Sequence, residues 1–492
     1  MAYSHGTHNE DTLQRENVSD SSDQSLSQGK EEGAVYRENV VESNDTDLAP
    51  AHNGFQKEVL ETADPHFTVI IIGAARLYGV EEDLNLGPNQ FQLAVSILFV
   101  TYCIFETPSN LIIKRLNPAY YLCGLTFCWG IIATFTAFVQ GIGGLLACRL
   151  LLGIIIYLTI FYNKRELALR TGYFFSAAAI SSAVGGLVAY GIGEGMDGTA
   201  GWRAWRWILL INGAATAVTA PFVPFILPGS VEKAKFLTEQ DRKDLLWLRT
   251  SEVGQTASGQ DLQKKDVMDG VKDWKTYAYG LAQFCSHLML YSFSVFLPTV
   301  ISRLGEFDRG ESNALTVPVF ALGAIVYIIS CWASDRLQMR GPFTMGAFFV
   351  SIVGYAMLIS NGDVAVKFAG TFIVACGCYT SVGLGFAWLA SNNPRYGKRA
   401  YASGMQITIG NSAGVAAPFL FADSTEPRFI PGYSASIATL AVGMGIHAVM
   451  SYWFHTQNKN RAAGKEDWKM EGKTPEEVAD MGDLNPLYRY TI

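Results

Sequence analysis

The run Phe91-Gln-Leu-Ala-Val-Ser-Ile-Leu-Phe-Val-Thr-Tyr-Cys-Ile-Phe-Glu106-Thr-Pro-Ser-Asn110-Leu-Ile-Ile113 is followed at once by Lys114-Arg115. As an α-helix its 23 residues reach about 35 Å, enough to cross a hydrocarbon core of roughly 30 Å. The pattern repeats along the chain. Spans are expected at 91–113, 120–140, 142–162, 172–193 and 206–227. After a polar stretch at 228–273, more follow at 276–301, 314–333, 343–360, 368–390, 401–421 and 433–455. One apolar run falls short: Phe67-Thr-Val-Ile-Ile-Ile-Gly-Ala-Ala75, at nine residues, covers less than half a bilayer. The fold expected is an all-α polytopic membrane protein of two six-helix bundles, with about 11 full spans and a stub of the first.

Composition agrees. Of 492 residues 49% are hydrophobic and only 16% charged, well below the share usual for soluble domains. A soluble enzyme is not expected on that ground, nor is a nucleic-acid binder, for lack of any basic stripe. The charges are unevenly spread: residues 1–65 hold 14 acidic and 4 basic side chains, a net of −10 against −7 for the whole chain. The domains read as a disordered acidic cytosolic tail at 1–66, an N-terminal bundle at 67–227, a cytosolic central loop at 228–273, a C-terminal bundle at 274–455 and a cytosolic tail at 456–492. Within the central loop, Thr238-Glu-Gln-Asp241 ahead of Leu245, Leu246 and Leu248 suggests a short helix lying on the cytosolic face. All eight cysteines lie in or beside apolar runs, which argues against a disulfide framework or a zinc site. Nucleotide, hydrolase and metalloprotease motifs are missing, so neither an enzyme activity nor a cofactor is expected.

Loop charges orient the chain. Lys114, Arg115, Lys164, Arg165, Arg170, Arg336, Arg340, Arg395, Lys398 and Arg399 fall in one set of alternate loops. The opposite loops carry fewer basic residues, offset by acids such as Glu194, Asp197 and Asp308. The first set, with both termini and the central loop, is therefore expected in the cytosol. A stub that does not cross would conflict with this, because an odd number of spans would put the N-terminus outside.

Polar groups inside apolar runs are the candidate site. Glu106 and Asn110, four apart on one helix face, suit a functional role or a hydrogen-bonded tie between helices. Arg149 stands near the middle of its span, where an arginine costs about 2.5–3.5 kcal/mol. Its planar fork suits a carboxylate substrate, with an ion pair to Glu106 as the alternative. Gln283, His287 and Tyr291 recur every four residues, and Gln406 and Asn411 share another span; such groups are helix glue or cavity lining. His287 can also carry a proton, although a lone histidine on an apolar helix is more often a packing residue. Asp335, Arg336 and Arg340, at a helix end, suit a gating latch or simple charge anchoring.

These stretches also resemble a known family. Glu106-Thr-Pro-Ser-Asn-Leu-Ile-Ile-Lys-Arg115, Leu146-Ala-Cys-Arg149-Leu-Leu-Leu-Gly153 and Gly201-Trp-Arg-Ala-Trp-Arg-Trp207 are similar to the allantoate-permease branch of the anion:cation symporters, within the major facilitator superfamily. So are Tyr291-Ser-Phe-Ser-Val-Phe-Leu-Pro298, Ser334-Asp-Arg-Leu337, Arg340-Gly-Pro342 and Ser391-Asn-Asn393. The resemblance implies a midplane site between two pseudo-symmetric bundles and alternating access. It also implies proton-coupled uptake of a small organic anion (a carboxylate, ureide or vitamin-like molecule) across a membrane, mostly in fungi, with the plasma membrane as the expected location. Efflux of a secondary metabolite, or a receptor-like body that binds without transporting, are the alternatives. Two departures stand out. The family's first-span acid has no counterpart beside the stub, and Ile156 stands where the family has a glutamate. Glu106 and His287 remain as intramembrane proton carriers, so accumulation driven by a pH gradient is expected to be weak.

Overall fold

The computed structural model describes residues 72–73, 75–87, 89–112, 118–155, 184–226, 239–240, 259, 263–305, 307–421 and 428–492. The expected acidic tail at 1–66, the second half of the 142–162 span, and the surface helix near 238–248 (residues 239–240 apart) lie outside them. No strand occurs among the described residues.

In the N-terminal half the long helices are α1 (Gln90–Ile112), α2 (Pro118–Thr136), α3 (Ile142–Ile155), α4 (184–196) and α5 (Ala204–Thr219). The 206–227 span is not one regular helix. Past α5 it continues as a 3-10 turn, Ala220–Phe222, and a further turn, Val223–Ile226. Pro221 and Pro224 explain the change of pitch, since each removes an N–H from the ladder. The second half begins with α6 (Lys264–Lys272), followed by α7 (Trp274–Leu304) and α8 (Thr316–Leu337). It ends with α9 (Gly341–Ile359), α10 (Val364–Ser391), α11 (Tyr396–Leu420) and α12 (Ile430–Ala462). Six described helices, counting Ala204–Phe225 as one, are long and apolar enough to cross a membrane.

Small residues let these helices close on each other, as they must where lipid offers no hydrophobic drive for association. A Cβ on Gly130 of α2 would lie 2.8 Å from the Ala217 Cα of α5, and one on Gly354 of α9 would lie 2.7 Å from the Val374 N of α10. Large apolar side chains face outward instead, among them Phe135, Val218, Ile325, Ile329, Phe349 and Val449. Such a surface suits acyl chains rather than water.

The described end of the stub, residues 72, 73 and 75, is packed. Ile72 and Ala75 are fully buried, and a Cβ on Gly73 would come within 2.7 Å of the Val295 carbonyl oxygen on α7. Just beyond it, the turn Val80–Asp83 is held by Asp83, whose Oδ2 accepts from Trp205 Nε1 at 3.0 Å and Arg206 Nη2 at 3.0 Å. Among the described residues the two halves meet mainly along α1 and α11. There Ser96 Oγ donates to the Val415 carbonyl at 2.9 Å, and Phe99 packs on Gly414.

The described end of the central polar stretch, 263–273, and the C-terminal polar stretch are built structure. Asp273 caps α7 by accepting from the Lys275 N–H at 3.0 Å. Ahead of it, α6 lies on α11 through Asp266, which pairs with Arg395 Nε at 2.8 Å. The segment 456–492, read from sequence as a polar tail, first extends α12 to Ala462 and then folds back beneath the C-terminal half. Its last residues clasp the ends of α9, α10, α11 and α12. The Arg340 N–H donates to the Ile492 carbonyl at 2.6 Å, Trp388 Nε1 to the Thr491 carbonyl at 2.8 Å, and Asn458 Nδ2 to the Tyr490 carbonyl at 2.8 Å. Arg461 Nη1 and Nη2 reach the Tyr488 and Asp483 carbonyls, each at 2.9 Å.

Candidate functional site

The four-residue spacing on α7 places Gln283, His287 and Tyr291 on one buried stripe. α11 lies against that stripe and supplies Gln406 and Asn411. Gln283 Nε2 donates to the Val382 carbonyl of α10 at 3.3 Å. Gln406 Nε2 donates to Gln283 Oε1 at 3.2 Å and to the Gly385 carbonyl at 3.1 Å, while Gln406 Oε1 is buried without a donor among the described residues. One turn along, His287 Nδ1 sits 3.1 Å from the Gln283 carbonyl and its ring stacks on Tyr291, with centroids 5.3 Å apart at 19°. Tyr291 OH then donates to Asn411 Oδ1 at 2.5 Å, and its ring meets Phe99 of α1 at 4.5 Å. The result is a ladder of amide, imidazole and phenol groups whose upper rung touches the other half of the molecule.

Five of the expected site residues therefore come together: Gln283, His287, Tyr291, Gln406 and Asn411. Arg149 is placed elsewhere, on α3, which packs against α1. It is 1% exposed, and its Nε has no hydrogen-bond partner among the described residues. The described contacts do not join it to the ladder. α1 carries Glu106 and Asn110, but their side chains lie outside the described residues, as do Lys114 and Arg115.

The helix-end group divides. Arg340 is buried and turns inward, with Nη1 donating to the Ala387 carbonyl of α10 at 2.7 Å and Nη2 to Asp335 Oδ1 at 3.1 Å. Burial holds its pKa below the ordinary arginine value, even though Asp335 acts to raise it. Arg336 stays on its own helix, its guanidinium 5.3 Å from the Trp332 ring centre. Among the described residues no three His, Cys, Asp or Glu side chains gather as a metal would require, and all eight cysteines are free thiols.

Sequence reasoning passes over Phe99, Gly385 and Gly410. The glycines matter because a Cβ on Gly385 would lie 2.6 Å from Gln283 Oε1, and one on Gly410 would lie 2.6 Å from His287 Nδ1. Gly410 and Gly414 stand four apart on an apolar span, which is a readable sign of close helix approach. It also passes over Asp483. That carboxylate is buried between Lys398 Nζ at 2.8 Å and Lys275 Nζ at 3.2 Å, and both lysines also reach Asp273. Burial by itself would raise the Asp483 pKa, but Lys398 and Lys275 outweigh it and hold the carboxyl below its ordinary range.

Comparison with known proteins matches this architecture. An uncharacterized transporter of Schizosaccharomyces pombe is 34% identical over 399 residues, covering 79% of each chain. The high-affinity nicotinic acid transporter of Saccharomyces cerevisiae is 28% identical over 488 residues, covering 94% of this chain and 90% of that one. Among solved structures, the proton:xylose symporter XylE superposes with a TM-score of 0.66 at 13% identity, over 82% of this chain and 96% of that one. At that identity the likeness speaks for the fold alone. The profile of the Major Facilitator Superfamily matches residues 67–418. This chain is a multi-pass membrane protein that belongs to the Major Facilitator Superfamily of transporters.

Proposed function

We propose that the protein is a secondary transporter that moves a small organic anion inward by alternating access, with protons as the driving ion and with both termini in the cytosol at the plasma membrane. The observation that carries the anion is Arg149. A guanidinium buried to 1% exposure is costly unless paired, and its Nε has no partner among the described residues. A carboxylate arriving between the halves would supply that partner, and the planar fork holds a carboxylate through two parallel hydrogen bonds. The similarity to a nicotinic acid transporter supports an aromatic or heteroaromatic carboxylate. The ladder, amphipathic and lined by His287, Tyr291 and Phe99, is suited to holding such a ring.

The proton role falls to His287 on α7 and Glu106 on α1, because Ile156 stands where the resembled family carries a glutamate. Accumulation against a pH gradient is accordingly expected to be weak. The test is uptake of labelled nicotinate, alongside a panel of other small carboxylates, by cells expressing the full chain or Arg149→Lys. The lysine variant should reach the membrane and lose uptake, since it keeps a point charge but not the fork. Normal uptake by Arg149→Lys would remove the arginine from anion binding. A protonophore added to the wild-type assay measures how much accumulation depends on the proton gradient.

A further inference from the structure

The two helices that build the ladder meet a second time, lower down, in the ion cluster. Lys275 stands eight residues before Gln283 on α7, and Lys398 stands eight residues before Gln406 on α11. Eight helical residues rise about 12 Å, so the cluster and the Gln283–Gln406 pair are two ties between the same helices at matched heights. Four charged groups form the lower tie. Asp273 Oδ2 lies 2.9 Å from Lys275 Nζ and 2.7 Å from Lys398 Nζ. Asp483 accepts from Lys398 Nζ at 2.8 and 2.9 Å and from Lys275 Nζ at 3.2 Å. Asp273 belongs to the cap of α7 itself, whereas Asp483 arrives from 208 residues away in sequence. It is held there by Arg461 Nη2, and Tyr490 OH donates to its carbonyl at 3.0 Å.

We propose that Asp483 is a positioning residue for the ladder: by binding Lys275 and Lys398 together it fixes the register of α7 against α11, and with it the Gln283–Gln406 rung. The inference rests on the reading of the ladder as the transport site. Two buried ammonium groups repel strongly in a low-dielectric site, and the single Asp273 carboxylate cannot balance both. Without Asp483 the two helix ends separate. Because helices are stiff over a few turns, the displacement reaches the glutamine rung. Gln406 leans on two acceptors, Gln283 Oε1 and the Gly385 carbonyl, and a slide of α11 breaks both.

The test uses the full chain in proteoliposomes, with Asp483→Asn, Asp483→Glu and the control Asp480→Asn. Asp480 is 43% exposed at its side chain, and its partner Arg395 keeps Asp266, so the control removes a nearby carboxylate without touching the lysines. The first readout, independent of any substrate, is amide hydrogen exchange over 276–291 and 399–411. Asp483→Asn should exchange faster there, with Asp483→Glu and Asp480→Asn close to wild type; equal exchange in Asp483→Asn overturns the proposal. The second is labelled nicotinate uptake. Asp483→Asn should raise KM at least about fivefold while kcat changes by less than about twofold, the pattern of a displaced binding group rather than a lost chemical one. Asp483→Glu should recover most of the KM. Faster exchange with an unchanged KM overturns the link from clasp to site. If Asp483→Asn does not fold, the double variant Asp483→Asn/Lys398→Gln removes the surplus cation along with the anion. It restores charge balance but not the bridge between the two helices. Exchange and KM should therefore still rise above wild type, by less than uncompensated repulsion would cause, and wild-type values for both would overturn the proposal. Faster exchange in a chain whose wild type takes up no nicotinate supports the clasp and overturns the nicotinate reading alone.

Discussion

Gly414→Ala tests whether the α1–α11 contact is as tight as it looks. Gly414 faces the ring of Phe99, and a Cβ built there overlaps three ring carbons. The ring cannot simply withdraw. It is fully buried, and the Tyr291 ring stands behind it at 4.5 Å and 51°, itself held by Asn411. Inserting a methyl group into a packed site of this kind costs about 1–3 kcal/mol. If α1 and α11 separate in the opposite-facing state, the whole cost falls on the state described here and shifts the balance between states by about 5–150-fold. Phe99→Ala alone removes a buried ring and should cost about 3–5 kcal/mol. In the double variant the new methyl occupies space the ring has left, so the combined cost should fall short of the sum by at least about 1 kcal/mol. Reversible unfolding of the detergent-solubilised protein measures all four corners of the cycle. A Gly414→Ala variant within about 0.5 kcal/mol of wild type, or a strictly additive double variant, would refute the packing argument.

Tyr291→Phe should leave the buried Asn411 Oδ1 without its 2.5 Å donor, a loss of about 1–3 kcal/mol of stability in the same unfolding assay; a neutral result would mean that water or another group takes the place of the phenol. The pH dependence of tail docking has a defined sign. Asp483 faces Lys275 on α7, Lys398 on α11, Asp273 at the cap of α7, and Arg461 and Tyr490. Its carboxyl is held below the ordinary range, so its contribution is complete above the ordinary carboxylate pKa of about 3.9 and is lost as pH falls through its own lower value. A mobility probe placed at exposed Leu487 should therefore read a docked tail from about pH 8 to pH 5 and release only below about pH 4. Release between pH 7 and 6 would place the controlling group elsewhere.

What the sequence makes legible depends on whether a residue's signal is local. The spans are local. An uninterrupted run such as 343–360 has few stable alternatives to a helix in lipid, and α9 follows it at Gly341–Ile359. The α7 stripe is local too, because a four-residue repeat puts Gln283, His287 and Tyr291 on one face whatever lies opposite. What lies opposite is not local. That Gln406 meets Gln283 at 3.2 Å, or that Phe99 closes over Tyr291, depends on which helices pack together and at what height. Periodicity within one segment does not contain that.

Charge shows the same division more sharply. Arg149 is conspicuous because a charge in an apolar run has a cost that composition reveals. Lys275, Lys398 and Arg340 stand at helix ends, where the positive-inside rule already accounts for a cation and nothing remains to be explained. All three are nevertheless buried. A buried cation needs a partner, and Lys275 and Lys398 find theirs in Asp483, which in sequence is one acid among many in a polar stretch. The same polar composition that reads as solvated tail is what two buried lysines demand of whatever covers them. Length and hydropathy show where the chain crosses, but charge at the crossing points must be balanced in three dimensions. Asp273 and Asp335, close in sequence to Lys275 and Arg340, supply part of that balance. The rest comes from beyond the last span, in a segment whose hydrophobic signal is weakest, through contacts that run to the base of the helices that carry the candidate site.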